Sequence, residues 1–191
     1  MWQMTYRPEA QAPAQYRSAL TEVVGRDLTL VETVIEISTI PYGRPRDRTP
    51  RGVLADWRGT CSTKHTLLAA IVSEAWPECR PKLWHRVYRV TREFATRRWG
   101  EPVAAAIPRQ GLVDVHTFAT LDLEKAGTQV DVTFTLAGWD GRSDIALASD
   151  VGDDYPAGAE PLATKASLAR AHCDYEARER FIAALSAITE D

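Results

Sequence analysis

The sequence predicts an α+β fold, with helices packed on a small antiparallel sheet. Two observations predict it. Apolar residues recur at helical spacing near both ends of the chain, and two alternating apolar segments between them have the pattern of a β-hairpin. The chain has 191 residues, of which 45% are hydrophobic and 26% are charged. We expect it to form one domain, residues 1–191, whose core needs neither disulfides nor a structural metal.

Helices are expected in the N-terminal third of the chain. Apolar residues lie at helical spacing in 14–24 and again in 27–38, although β-branched residues in the second segment leave a strand as the alternative. The segment 62–76 is the clearest helix, because its apolar residues form one face and Pro77 ends the run. Residues 82–90 alternate as a strand. The first dozen residues, rich in Pro, Ala and Gln, are expected to form a loosely held terminus.

The rest of the chain predicts a hairpin followed by closing helices. Residues 91–106 are expected to be partly helical. Residues 113–121 and 130–136 alternate with β-branched and aromatic residues on either side of a turn, which is typical of a hairpin. An acidic, Gly-containing segment, 139–161, is expected to be a surface loop. One or two helices over 163–188 then pack back on the body.

The charge balance and the hydropathy pattern argue against two classes of partner. Lys and Arg total 23 against 26 Asp and Glu, a net charge of −3, whereas a protein whose main task is to bind nucleic acid needs a basic surface. No stretch approaches the roughly 20 apolar residues of a membrane span. The N-terminus MWQMTYRPEA also lacks the pattern of a signal peptide. We therefore expect a cytoplasmic protein that binds neither nucleic acid nor membranes.

Cys61 is the first candidate for a catalytic residue. The three cysteines, Cys61, Cys79 and Cys173, are too few for a disulfide framework, which directs attention to single thiols. Cys61 lies at the first turn of a predicted helix, where the partial positive charge favours the thiolate and free N–H groups can bind an oxyanion. Gly59 permits the close backbone approach of a tight turn. We expect Cys79 and Cys173 to be structural.

The predicted hairpin supplies the histidine and the carboxylate that a thiolate nucleophile uses. His116 lies in the first strand and Asp131 in the second, each among apolar residues. Neighbouring antiparallel strands would let the Asp131 carboxylate fix the tautomer of His116 and direct its other ring nitrogen at Cys61. The position of the turn requires a diagonal pairing or a bulge for this contact.

These residues, in this order, resemble a known family. The segment RGTCSTKH, residues 58–65, opens a helix at its cysteine, and a strand histidine and a strand aspartate follow. Over about residues 54–136 the pattern resembles the transglutaminase-like superfamily of Cys-His-Asp enzymes, especially its bacterial members. The resemblance implies a papain/transglutaminase-like core. It also implies that Cys61 is the nucleophile, His116 the general base and acid, and Asp131 the orienting carboxylate.

The expected chemistry is cysteine-dependent acyl transfer or hydrolysis at an amide, ester or thioester, with a peptide, amide or acyl-thioester as substrate and no cofactor. Trp57, Arg58 and Lys64 flank the nucleophile and are candidates for substrate binding. The alternative is a catalytically silent domain of the same fold that binds a peptide or a partner. The identity of the second nucleophile, water or an amine, and the oligomeric state stay open.

Two other patterns have ordinary structural explanations. His65 lies one helical turn after Cys61. Together with Cys79 and His85 its spacing matches no common zinc site, so no metal is expected. The basic run 80–98 is interleaved with aromatic residues and could bind single-stranded nucleic acid or an anionic group of the substrate. A solvated strand and helix face is the simpler interpretation.

Overall fold

In the computed structural model, residues 15–188 are described and form helices and one antiparallel sheet. The helices are α1 (Gln15–Val24), α2 (Leu30–Thr39), α3 (Pro50–Asp56), α4 (Cys61–Ala75), α5 (Arg92–Trp99), α6 (Glu101–Ala105), α7 (Pro161–His172) and α8 (Tyr175–Ala187), and the strands are β1 (Lys82–Val90), β2 (Leu112–Leu121), β3 (Thr128–Val130) and β4 (Gly152–Pro156). The strand order is β3-β2-β1-β4, with every neighbouring pair antiparallel. This mixture confirms the α+β class. None of the helices within this range has both the length and the hydrophobicity of a membrane span.

Most of the local predictions are confirmed. α1 and α4 match the helices expected over 14–24 and 62–76, and β1 matches the strand at 82–90. α5 and α6 lie within the partly helical segment, separated by Gly100, whose φ of +88° a helix cannot accommodate. The closing segment, 163–188, forms two helices. The loosely held terminus that the sequence suggests lies outside the described residues.

The helix predicted over 27–38 is confirmed and the alternative of a strand is wrong, because a local cap fixes a helix there. Thr29 precedes α2. Its backbone N–H donates to the Glu32 carboxylate at 2.9 Å, and its hydroxyl accepts from the Glu32 N–H at 3.3 Å. This reciprocal pair is a capping box, which satisfies N–H groups at the helix start. The capped start outweighs the β-branched content of the segment.

The predicted hairpin is confirmed for its first strand but only in part for its second. β3 pairs with β2 as far as Val130, and Gly127 in the turn has a φ of +72°. After this point the backbone leaves the sheet, so the strand predicted over 130–136 is wrong beyond its first residue. A side chain replaces the neighbouring strand as acceptor, because the Val132 N–H donates to the His65 ring at 3.1 Å.

The surface loop predicted over 139–161 contains a strand that the sequence pattern does not show. β4 pairs with β1, and Arg86 of β1 holds Asp154 of β4 through two hydrogen bonds of 2.7 Å. β4 reads GDDYP and is largely exposed, so it lacks the alternating apolar residues by which a strand is recognised. The prediction of a loop is therefore wrong at β4. This segment is a strand because its backbone pairs with β1.

Two buried apolar clusters position the elements around β2. One cluster joins α4 to β2 and β3 and includes Leu67, Ile71 and Leu121. The other surrounds Phe181 of α8. α4, α7 and α8 all contact β2. This packing brings the start of α4 and the middle of β2 close to α7.

Candidate active site

Cys61 is the first residue of α4 and is buried, with 5% of the residue exposed. The residue before it, Thr60, is extended (φ −82°, ψ 171°) and serves as the N-cap. Gly59 exchanges two backbone hydrogen bonds, of 3.1 and 3.2 Å, with the segment at 41–43. A Cβ at Gly59 would lie 2.6 Å from Lys64 Cγ. The absence of a side chain at Gly59 therefore makes room for the Lys64 side chain, beside the backbone pairing with 41–43.

The strand histidine and the aspartate lie together. His116 Nε2 is 2.8 Å from Asp131 Oδ2, and both residues are buried. Asp131 directly follows the Ala119↔Val130 pair, which puts it diagonally across from His116 on the same face. Asp131 therefore takes the diagonal position, although it lies just beyond the last strand pair of β2 and β3. With Nε2 bonded to Asp131, Nδ1 is the ring nitrogen left to face Cys61, and the hydrogen bonding and charge of His116 lower the pKa of the Cys61 thiol.

Both carboxylate oxygens of Asp131 accept further hydrogen bonds. Oδ2 accepts from the Ala148 N–H at 2.7 Å in addition to His116, and Oδ1 accepts from the Thr133 N–H at 2.9 Å. Burial raises the pKa of Asp131, but the charge and hydrogen bond of His116 outweigh burial and hold that pKa well below its usual range. The carboxylate is therefore charged, fixed in place and able to stabilise a protonated His116.

His65 connects the backbone of the nucleophile to the segment that carries Asp131. Its Nδ1 donates to the Cys61 carbonyl at 2.7 Å, and its Nε2 accepts from the Val132 N–H at 3.1 Å. Burial lowers the pKa of His65 to about 4, so the ring is neutral and its 3.6 Å approach to Asp131 is not an ion pair. Both ring nitrogens form hydrogen bonds, so neither is available to bind zinc. Within the described residues, no group of three or more potential ligands is arranged to hold a metal.

A lysine that the sequence pattern does not indicate completes the surroundings of the thiol. Lys165 Nζ, from α7, lies 2.9 Å from Cys61 Sγ, and only 7% of Lys165 is exposed. His85 of β1 fixes the start of α7, because its Nε2 donates to the Pro161 carbonyl at 2.9 Å while its Nδ1 bonds the Thr117 hydroxyl at 3.1 Å. No local signal marks Lys165, since it lies 104 residues from Cys61 in a helix of mostly small and polar residues.

The charges around Cys61 favour a thiolate paired with an imidazolium. Burial raises the pKa of Cys61, but the charge of Lys165 and the hydrogen bond and charge of His116 outweigh burial and lower the pKa to about 6. Burial lowers the pKa of His116, but Asp131 and Cys61 raise it to about 9. Between about pH 6 and pH 9 the thiolate–imidazolium pair is therefore the main state.

The other two thiols have environments that favour the protonated form. Burial raises the pKa of Cys79, and burial raises the pKa of Cys173 to about 11. Cys173 is nevertheless more exposed than Cys61 and lines the same cavity. It therefore provides an internal reference for the reactivity of Cys61.

Cys61 opens on a cavity of about 450 Å³. The cavity lies between the start of α4, the segment around Tyr42 and Arg44, and residues of α7 and α8. Thr60 and Ser62 line it beside the thiol. The Thr63 N–H is used by the Thr60 side chain, so the N–H groups of Cys61 and Ser62 are the first-turn donors of α4 that can serve an oxyanion at this place. The volume suits a small acyl group or one side chain of a peptide.

The three residues predicted to bind substrate lie outside this cavity. Among the described residues that line it, none is Trp57, Arg58 or Lys64. Trp57 packs against the apolar cluster around α4, and the side chain of Arg58 lies against Gly43. Lys64 is fully buried, and burial lowers its pKa to about 7. The side chain of Lys64 points into the protein rather than into the cavity, so it does not reach the place where we expect substrate to bind.

Lys64 instead joins three backbone carbonyls. Its Nζ donates to Ser38, Ile40 and Thr133 at 2.9, 2.8 and 3.0 Å. We expect Lys64→Met to lower the free energy of unfolding by about 3 kcal/mol, because three buried carbonyls lose their donor. Chemical unfolding measures the loss. Lys82→Met, at an exposed lysine of β1, is the control and should change stability by less than about 0.5 kcal/mol; equal effects of both substitutions would contradict this role.

Comparisons with known proteins add no family to these observations. The chain matches no family model, no curated protein and no solved structure. The function is therefore argued from the geometry of the site, in which one buried thiol lies beside a lysine and a histidine–aspartate pair and faces a cavity.

Proposed function

We propose that this protein is a cysteine-dependent enzyme of acyl transfer or hydrolysis, built as a single domain on a papain/transglutaminase-like core. The observation that carries the proposal is the series of contacts from Lys165 through Cys61 and His116 to Asp131. Each of these residues is at most 7% exposed. A buried charged network of this kind stabilises a fold less well than apolar packing of the same volume. Its presence at the wall of a cavity supports a chemical role.

Cys61 is the proposed nucleophile. Its thiolate attacks the carbonyl carbon of the substrate and forms a C–S bond, while N–H groups at the start of α4 stabilise the oxyanion. Protonated His116 donates its Nδ1 proton to the leaving amine, alcohol or thiol, and a thioester remains on Cys61. Water or an amine, deprotonated by His116, then attacks the thioester and restores the thiol. Asp131 holds His116 in the required orientation, and Lys165 stabilises the thiolate before substrate arrives.

The reactivity of three cysteines in one molecule tests the proposed nucleophile. Iodoacetamide labelling followed by peptide mass mapping gives a rate for each thiol. At pH 7 we expect Cys61 to react about tenfold or more faster than Cys173, although Cys173 is more exposed, because only Cys61 is largely a thiolate. The rate at Cys61 should rise through about pH 6. His116→Ala should move this midpoint upward, since it removes a charge that favours the thiolate.

Acyl-enzyme formation tests the chemistry itself. With 4-nitrophenyl acetate we expect a burst of 4-nitrophenolate and an acetyl group on Cys61, located by mass spectrometry. Cys61→Ala should abolish the burst, and Cys79→Ala, which removes a buried thiol outside the site, should keep it. A Cys61 that is labelled no faster than Cys173, with a midpoint near its ordinary pKa of 9.0, would contradict an enzyme. That result would favour a silent domain that binds a peptide or a partner.

A further inference from the structure

The cavity at Cys61 is strongly cationic although the chain as a whole has a net charge of −3. Its charged lining residues are five cations, Arg44, Arg48, Lys165, Arg170 and Arg178, and one acid, Glu179. A concave site lined by one sign of charge attracts ligands of the opposite sign. The lining therefore bears on which acyl donor the site accepts.

Three of these cations already have a partner inside the protein. Arg44 forms two hydrogen bonds of 2.6 Å with Glu179. Arg178 donates to Asp114 at 2.6 Å, and Asp114 is buried in β2. Lys165 contacts the Cys61 thiol. These three side chains therefore have defined structural or electrostatic roles without a ligand.

The remaining two cations, Arg48 and Arg170, have guanidinium N–H donors that no carboxylate of the described residues occupies. Among residues 15–188 neither guanidinium forms an ion pair within 4.0 Å, although the charge of Arg48 helps to lower the pKa of Glu179, and Arg170 donates to the Ser167 hydroxyl at 3.0 Å. Arg48 lies in the segment that precedes α3 and Arg170 lies on α7, and both line the cavity. A guanidinium presents paired N–H donors that match a carboxylate or a phosphate.

Lys165 and Arg170 lie at the two edges of the surface that α7 presents to the cavity, because residues five apart differ by about 140° around a helix. Its cavity-lining residues, Leu162, Lys165, Ala166, Ala169, Arg170 and then Cys173, recur at helical spacing. Ala166 and Ala169 are small and leave space between the two cations. Along the helix axis, Lys165 and Arg170 are about 7.5 Å apart. An acyl chain that reacts at Cys61 can therefore extend along α7 and place a distal group near Arg170.

We infer that the acyl donor carries an anionic group, a carboxylate or a phosphate, which Arg48 and Arg170 bind while its carbonyl lies at Cys61. This inference rests on the proposed function and names the substrate class of the same site. A dicarboxylic acyl chain, with one carbonyl at the thiol and the far carboxylate at the arginines, has this chemistry. The two arginines would then determine specificity and would take no part in bond making.

The basic run 80–98, which the sequence offers as an anion site, does not compete for this role. None of its residues is among the described residues that line the cavity. Several of its charges are neutralised by the ion pairs Arg80–Asp122, Arg86–Asp154 and Arg97–Glu93. The charge available to an anionic substrate therefore comes from outside the run.

A pair of alkylating agents that differ in charge tests the inference. N-iodoacetyl-β-alanine and iodoacetamide react with a thiol by the same displacement of iodide, but only N-iodoacetyl-β-alanine carries a carboxylate, on a short chain that separates it from the reacting carbon. We expect the ratio of their rates at Cys61 to exceed the ratio at free cysteine in the same buffer. Arg48→Gln and Arg170→Gln should each lower the ratio about threefold, and the double variant about tenfold. The ratio of the wild-type protein should also fall as salt is raised.

Arg98→Gln is the matched control. Arg98, like Arg170, is an exposed arginine in the last turn of a helix, but it does not line the cavity. Its substitution should leave the ratio unchanged.

Inorganic phosphate then separates the two sources of the anion. Phosphate that slows N-iodoacetyl-β-alanine in the wild-type protein, but not in the double variant, indicates a phosphate-bearing donor. A ratio that depends on the arginines without this protection indicates a carboxylate.

The result separates the two proposals. The rate with iodoacetamide alone reports the nucleophile, whereas the ratio reports the anion site. Fast labelling of Cys61 with a ratio that neither Arg48→Gln nor Arg170→Gln changes would overturn the inference and leave the proposed enzyme intact. Slow labelling with both agents would overturn the proposed function.

Discussion

Replacing Asp131 by asparagine is expected to lower the rate of acyl-enzyme formation at Cys61 by roughly 10²–10⁴-fold. Asparagine keeps the size of the side chain but loses the negative charge that stabilises protonated His116. The amide NH2 also replaces one of the two carboxylate oxygens, so it faces either the Thr133 N–H or the Ala148 N–H, each of which donates to Asp131 in the native protein. The pKa of His116, about 9 with Asp131 present, should fall, so less imidazolium is present to protonate the leaving group.

The burst of 4-nitrophenolate, followed at several pH values, measures both effects of Asp131→Asn. We expect the rate of acyl-enzyme formation to fall. We also expect the pH at which activity is lost on the alkaline side to move to a lower value. Asp144→Asn is the matched control, because Asp144 also accepts from a backbone N–H and from a cation, the Gln129 N–H and Lys125, both at 2.8 Å, but is exposed. The control should keep its rate within about twofold. A folded Asp131→Asn protein that acylates within tenfold of the native rate would contradict the orienting role.

Replacing Lys165 by methionine is expected to raise the midpoint of Cys61 alkylation by more than one pH unit. The charge of Lys165 is the largest of the influences that lower the pKa of Cys61 to about 6, and burial opposes it. Without this charge, burial raises the pKa towards or beyond its ordinary value of 9.0. Thiolate is then lost at neutral pH and recovered only in alkaline solution, so the midpoint moves upward.

The rate of Cys61 alkylation at pH 7 should fall by about tenfold in Lys165→Met. This fall is smaller than the decrease in the fraction of Cys61 that is present as thiolate. A thiolate of higher pKa is a stronger nucleophile, and this partly offsets its lower population. The full pH profile of iodoacetamide labelling therefore measures the effect better than one rate. Lys125→Met, at an exposed lysine paired with Asp144, should leave the midpoint near 6. A midpoint that also stays near 6 in Lys165→Met would show that the 2.9 Å contact does not activate the thiol.

Elements with a local signal are predictable from this sequence, and elements made by pairing are not. α4 carries its own apolar face and its own stop at Pro77, so no neighbour is needed to recognise it. β4 is acidic and exposed and exists because β1 supplies its hydrogen bonds. The segment after Val130 has the alternation of a strand, but its backbone donors are used by His65 and Asp131. Alternation alone does not distinguish a strand from a buried segment held by side chains.

The sequence by itself determined three candidates, Cys61, His116 and Asp131, because each is a reactive residue type in a position where an apolar or structural residue is usual. Only the tertiary structure decided their surroundings. Lys64 follows the nucleophile by three residues, but its side chain is bonded to buried carbonyls. Lys165 is more than a hundred residues away in sequence, but it contacts the thiol. The physical reason is that a lysine in a helix has the same local pattern whether it faces solvent, backbone or a thiolate. Packing of α4 and α7 against β2 decides which of these it meets.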